Sequence, residues 1–155
     1  MTGSPASESP AAEPVAPVVP LVGSPNRMLA VVIGAIYVAL GALGLLSTGG
    51  IGFFSTHGVL LFGLFEVNDF HNVAHIVIGS ALLMAGLSTL PAARTLNRIV
   101  GTLYLVIGLA GLYVVGTPFN VLAFNLQDHV LHFATAILLL AASLGTEQAP
   151  RARRG

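Results

Sequence analysis

The run Asn68-Asp69-Phe70-His71-Asn72-Val73-Ala74-His75 opens a long apolar segment and is the most polar stretch in the chain. The 155 residues around it are 55% hydrophobic and only 8% charged. A soluble domain carries roughly 25% charged residues, so this chain has too few to cover a water-facing surface. Its solvent is the lipid bilayer, and the polar run therefore enters a membrane or stands at its edge.

Working outward from that run, four apolar stretches approach the ~20 residues that cross a ~30 Å hydrocarbon core. They cover 28–46, 70–90, 99–115 and 129–144. Lipid cannot satisfy backbone N–H and C=O groups, so each span must be a helix. Residues 91–98 read as a short turn after Pro91, and 48–69 as a long connection. The apolar piece 59–65 inside that connection is too short to span and reads as an interfacial hairpin or bent helix. Residues 1–26, rich in Pro, Ala, Ser and Val, read as a disordered tail. They carry neither the basic start nor the unbroken apolar core of a secretory signal. Residues 146–155 form a basic tail.

Charge placement orients the spans. All six basic residues are arginines. Arg27, Arg94, Arg98 and the C-terminal arginines fall on one side of a four-span arrangement. Glu66, Asp69 and Asp128 fall on the other, where no base occurs. The positive-inside rule then puts both termini in the cytoplasm. Net charge is zero, which offers no electrostatic footprint for nucleic acid. The expected partners are the lipid bilayer and either further copies of the chain or another membrane protein. The absence of cysteine excludes disulfides and thiolate metal sites.

A degenerate copy of the opening run returns as Asn125-Leu126-Gln127-Asp128-His129-Val130-Leu131-His132. Upstream, Gly34, Tyr37, Gly41 and Gly44 match Gly101, Tyr104, Gly108 and Gly111 at one constant spacing. Asn68, Val73 and His75 match Asn125, Val130 and His132, while His71 falls opposite Asp128 and Asn72 opposite His129. The fold class this predicts is all-α: a polytopic membrane protein of four transmembrane helices, arranged as two parallel helix–loop–helix repeats about a pseudo-two-fold axis along the membrane normal.

The segments Gly63-Leu64-Phe65-Glu66-Val67-Asn68, His71-Asn72-Val73-Ala74-His75 and Gly79 resemble the signature of the four-span bacterial membrane proteins grouped as domain of unknown function 4383. Asn125, Asp128 and His132 resemble that family's second signature. The resemblance covers residues 27–145 and implies a protein of the bacterial cytoplasmic membrane. Two positions depart from the pattern. Asp69 stands where the family usually has Pro, and His129 where it usually has Asn, which sets His129 apart from a shared site. The resemblance implies a fold and no chemistry.

Asn68, His71, Asn72, His75, Asn125, Asp128, His132, Tyr37 and Tyr104 form the candidate polar cluster. Asn68 and Asn125 stand at N-cap spacing from His71 and Asp128, and acids near helix N-termini suit the helix dipole. Histidine–histidine bonds between the second and fourth spans would fix the register of the bundle, with Gly79 and Ala136 letting those helices touch one turn deeper. The alternative is a metal or haem site in which His71, His75, Asp128 and His132 supply three nitrogens and one oxygen. The leading function on this reading is a non-catalytic integral membrane protein, acting in membrane organisation or as a partner subunit and needing no cofactor. The second is a metal- or haem-dependent redox protein. The third is a small proton-linked transport protein, which would have to be an oligomer because four such spans leave no room for a lumen.

Overall fold

A computed structural model describes residues 20–147. Most of the segment read as a disordered tail, and the arginine tail from residue 148, lie outside the described residues. A short 3₁₀ turn, Leu21–Gly23, leads into helix α1, Pro25–Ser47. Strands β1, Val59–Leu61, and β2, Phe65–Val67, form an antiparallel hairpin. Then come α2, Asp69–Leu87, α3, Leu90–Val114, and α4, Leu126–Leu144. Among the described residues, these four helices are long and apolar enough to cross a membrane.

The helix starts follow from their caps. Ser24 accepts a hydrogen bond from the Arg27 amide, with Pro25 as the first helical residue. Thr89 does the same for Ala92, again followed closely by a proline. Residues 91–98 are therefore not a turn but the opening turns of α3. Pro91 lacks an N–H that a first-turn residue does not need, so a residue that reads as a stop signal also serves as a start. The apolar piece 59–65 is the hairpin, with Val59 opposite Val67 and Leu61 opposite Phe65. Its turn holds Phe62 and Gly63 at φ 55° and 69°, a left-handed conformation that only Gly adopts without strain.

The bundle is apolar on its outside, and its interior holds polar residues toward both ends of an apolar middle. Val32, Val77, Met84, Val106, Leu112 and Ile137 are exposed on the helix faces, where lipid would meet them. Asn26, Asn72, Asn97, Asp128 and His132 are buried. In the middle layer Tyr37, Leu82, Val100, Tyr104, Ala136 and Leu139 form the core.

Helix α1 lies against α2 through glycines that admit the partner's backbone, and α3 lies against α4 through glycines that mainly admit the partner's side chains, those of Leu140, Phe133 and His129. A Cβ on Gly34 would come 2.7 Å from the Gly79 carbonyl oxygen, and one on Gly41 would come 2.5 Å from that of Asn72. Gly79 thus serves the α1–α2 contact and not an α2–α4 contact, because its missing side chain faces α1 at Gly34 and Val38. At the end away from the chain termini, each pair shares one device. The Asn72 side-chain amide seats on Gly44, where a Cβ would overlap its Oδ1. The His129 ring seats on Gly111, where a Cβ would overlap its Cε1.

Candidate functional site

The polar layer lies where α2 and α4 begin. Asn68 caps α2: its Oδ1 accepts from the His71 amide at 2.8 Å. Its Nδ2 donates to the carbonyls of Ser55 at 2.7 Å and Val121 at 2.8 Å. Asn125 caps α4 by accepting from the Asp128 amide at 3.0 Å, while its Nδ2 donates to the Leu64 carbonyl at 2.7 Å. Each cap thus also ties down the loop that joins the two helices of the other pair. Asp128 completes a capping box, with Oδ2 accepting from the Asn125 amide at 2.9 Å and the Glu66 amide at 3.2 Å. Thr48, at the end of α1, hydrogen-bonds Asp69 through its hydroxyl and accepts from Asn72 Nδ2.

Below these caps three histidines come together. His71 and His75, one turn apart on α2, bring their Nε2 atoms to 3.1 Å. His132 on α4 packs its ring 5.8 Å from that of His71 and 6.0 Å from that of His75. All three are buried, and one ring nitrogen from each lies within 4.8 Å of the others. The histidine–histidine bond stays within α2; across to α4 the rings only pack, because both His132 nitrogens lack a hydrogen-bond partner among the described residues. His75 Nδ1 lacks one as well. A buried polar atom left unpaired costs about 1–3 kcal/mol, so the cluster holds more hydrogen-bonding and ligating capacity than its surroundings use.

The rings are held on every side. Tyr104 stacks on His132 at 4.8 Å with the planes 19° apart. Tyr37 meets His75 edge-on at 4.7 Å, stacks on Tyr104 at 5.1 Å, and shares a 2.9 Å hydrogen bond with Thr135. Phe124 stands 5.1 Å from both His71 and His132. Asn120 clamps the Phe124 backbone from both directions, and the preceding Ala123 takes φ 53°. A cavity of about 30 Å³ borders His71, His75, His132, Tyr104 and Phe124.

Of the candidate positions, His71, His75, His132, Tyr37 and Tyr104 therefore form one buried group. Asn68, Asn125 and Asp128 form the capping layer above it, and Asn72 turns away to Gly44 and Thr48. The four-ligand shell with Asp128 does not form, because that carboxylate is turned to the Asn125 and Glu66 amides. His129 also stands apart, on Gly111. Thr135 and Phe124 belong to the group although no sequence pattern marked them. Thr135 has an isoleucine, Ile78, as its repeat counterpart, and Phe124 lies in a loop.

A second polar layer stands at the opposite end, where the sequence marks only the arginines. Arg27 Nε donates to the Gly86 carbonyl at 2.9 Å. Arg94 donates to the carbonyls of Gly145, at 2.9 Å, and Glu147. Both arginines thereby meet the carbonyl end of a neighbouring helix, where the dipole favours a cation. Asn97 Nδ2 donates to the Asn26 carbonyl at 2.9 Å, and Asn26 Nδ2 donates to the Ala142 carbonyl and to Glu147 Oε2 at 2.9 and 2.8 Å. Burial works to raise the Glu147 carboxyl, but hydrogen bonds from Ser24 and Asn26 and the charge of Arg94 outweigh it and hold the group below its ordinary value.

No curated protein and no solved structure matches the chain. The match to a family is extensive, running from the first turn of α1 to the residue that ends α4. The chain, matched over residues 27–145, belongs to the family described as Domain of unknown function (DUF4383).

Proposed function

We propose that the chain is a non-catalytic multi-pass protein of the bacterial cytoplasmic membrane, acting in membrane organisation or as a partner subunit. Both termini lie in the cytoplasm. Its two helix pairs are parallel copies related by a pseudo-two-fold axis along the membrane normal, and its outer polar residues fasten them together. The observation that carries this reading is reciprocal strapping: Asn68 reaches Val121 in the second pair's connection, and Asn125 reaches Leu64 in the first pair's. The seating of Asn72 on Gly44 and of His129 on Gly111, which are matched positions of the two copies, supports the repeat. Arg27, Arg94 and Arg98 gather at one end and Glu66, Asp69 and Asp128 at the other, which supports the orientation.

The chain has no native cysteine, so single cysteines report topology directly. Gly49→Cys should react with a membrane-impermeant maleimide on intact cells, because a side chain there meets nothing within 4 Å. Ser88→Cys, in the turn between α2 and α3, should react only after permeabilisation. The reverse pattern overturns the orientation. A native gel in mild detergent tests the partner-subunit role: the chain should migrate in an assembly larger than itself, and a monomer throughout counts against it.

A further inference from the structure

We propose that His71, His75 and His132 form a binding site for one borderline transition-metal ion of the Zn²⁺ class, which clips α2 of the first helix pair to α4 of the second. This goes beyond the scaffold reading, which rests on other residues. Metal–imidazole bonds of 2.0–2.1 Å place two nitrogens of a tetrahedral shell about 3.3 Å apart. His71 Nε2 and His75 Nε2 already stand 3.1 Å apart. One ring nitrogen from each of the three histidines lies within 4.8 Å of the others, so His132 has to close by roughly 1.5 Å to complete the set. Both of its nitrogens lack other partners among the described residues, so no existing hydrogen bond opposes that movement.

The chemistry of the donor set selects the ion. Three neutral imidazoles without a carboxylate suit Zn²⁺, Co²⁺ or copper. Mg²⁺ and Ca²⁺ require oxygen ligands, and the nearby Asp128 carboxylate is held by two backbone amides. The adjoining cavity of about 30 Å³ has room for a water as fourth ligand, and a porphyrin is far too large for it. Tyr104 stacked on His132 and Tyr37 edge-on to His75 hold the planes of those two rings. With two ligands from α2 and one from α4, the ion would bridge the two helix pairs at their outer ends.

The test uses the full chain in detergent, stripped with a chelator and titrated with Zn²⁺ against a background of excess Mg²⁺. One Zn²⁺ per chain should bind, and the melting temperature should rise with free Zn²⁺. His132→Asn should weaken binding by more than about 100-fold and make the melting temperature indifferent to Zn²⁺ and chelator alike. His57→Ala, which removes a histidine outside the cluster, should change neither. No uptake by the unaltered chain, uptake that survives His132→Asn, or uptake that depends on His57 overturns the proposal. If His132→Asn does not fold, a Co²⁺ titration of the unaltered chain decides. The intense visible bands of four-coordinate Co²⁺ support the site, and the faint spectrum of six-coordinate Co²⁺ overturns it. Maleimide labelling of Gly49→Cys and Ser88→Cys tests the scaffold reading separately.

Discussion

Two glycines show how closely single side chains are fitted. At Gly44 and Gly111 the space of a Cβ is occupied by the Asn72 amide and the His129 imidazole. Gly44→Ala should therefore push Asn72 off Thr48, and Gly111→Ala should displace a buried ring. Each should cost about 1–3 kcal/mol, the usual range for overpacking, seen as a lowered melting temperature in detergent. Gly49→Ala, with nothing within 4 Å, should leave the melt unchanged. Tyr37→Phe removes the hydrogen bond to Thr135 while leaving the ring stacks. It should cost about 0.6–1.7 kcal/mol, the range for such bonds between membrane helices.

At the scale of elements, the two caps differ in what else they hold. Asn68 caps α2 and also binds two carbonyls, one in the α1–α2 connection and one in the α3–α4 connection. Asn125 caps α4 and binds one. Loss of a cap costs about 0.5–2 kcal/mol. Asn68→Ala should exceed Asn125→Ala, because it leaves more carbonyls without their donor. Limited proteolysis should show both outer connections cut faster in Asn68→Ala than in Asn125→Ala. The cap spacing was legible in the sequence, since Asn three residues before the first helical pair recurs in both copies. The cross-straps were not, because their acceptors are backbone carbonyls that any residue supplies. The start of α3 was misplaced because Pro91 satisfies the sequence rule for a stop and the structural requirement for a first turn.

Across the whole molecule, the segment after α4 closes onto the start of α1. Glu147 Oε2 accepts from the Asn26 amide at 3.1 Å and from its side chain, placing an acid at the positive end of the α1 dipole. Its folded pKa lies below its ordinary value, so its contribution to stability is fully present above the unfolded value of about 4.3 and is lost as pH falls through the lower folded one. Glu147→Gln should lower stability at neutral pH by under about 1 kcal/mol, because the group is partly exposed. Melts of the two proteins should converge as the pH is taken below about 4. A difference that persists in acid would place the effect in the hydrogen bonds and not in the charge.

Composition and period by themselves determined that the chain is a membrane protein of four helices. So few charges leave no alternative to lipid as the solvent, and each span must satisfy its own backbone within a helix. The recurrence of Asn68, Tyr37 and His75 as Asn125, Tyr104 and His132 was equally visible, because Asn, Tyr and His are rare in so aliphatic a chain. Only the tertiary structure decided what those residues do together. Whether Asp128 joins the histidines or turns to the Glu66 amide depends on where the β1–β2 hairpin lies, and no spacing along α4 encodes that. The Asn26–Asn97–Glu147 layer joins residues from three distant segments and has no repeat to announce it. The three histidines became one cluster, with nitrogens that neighbouring side chains do not satisfy, only when the two helix pairs were packed together and the first turns of α2 and α4 came to face each other.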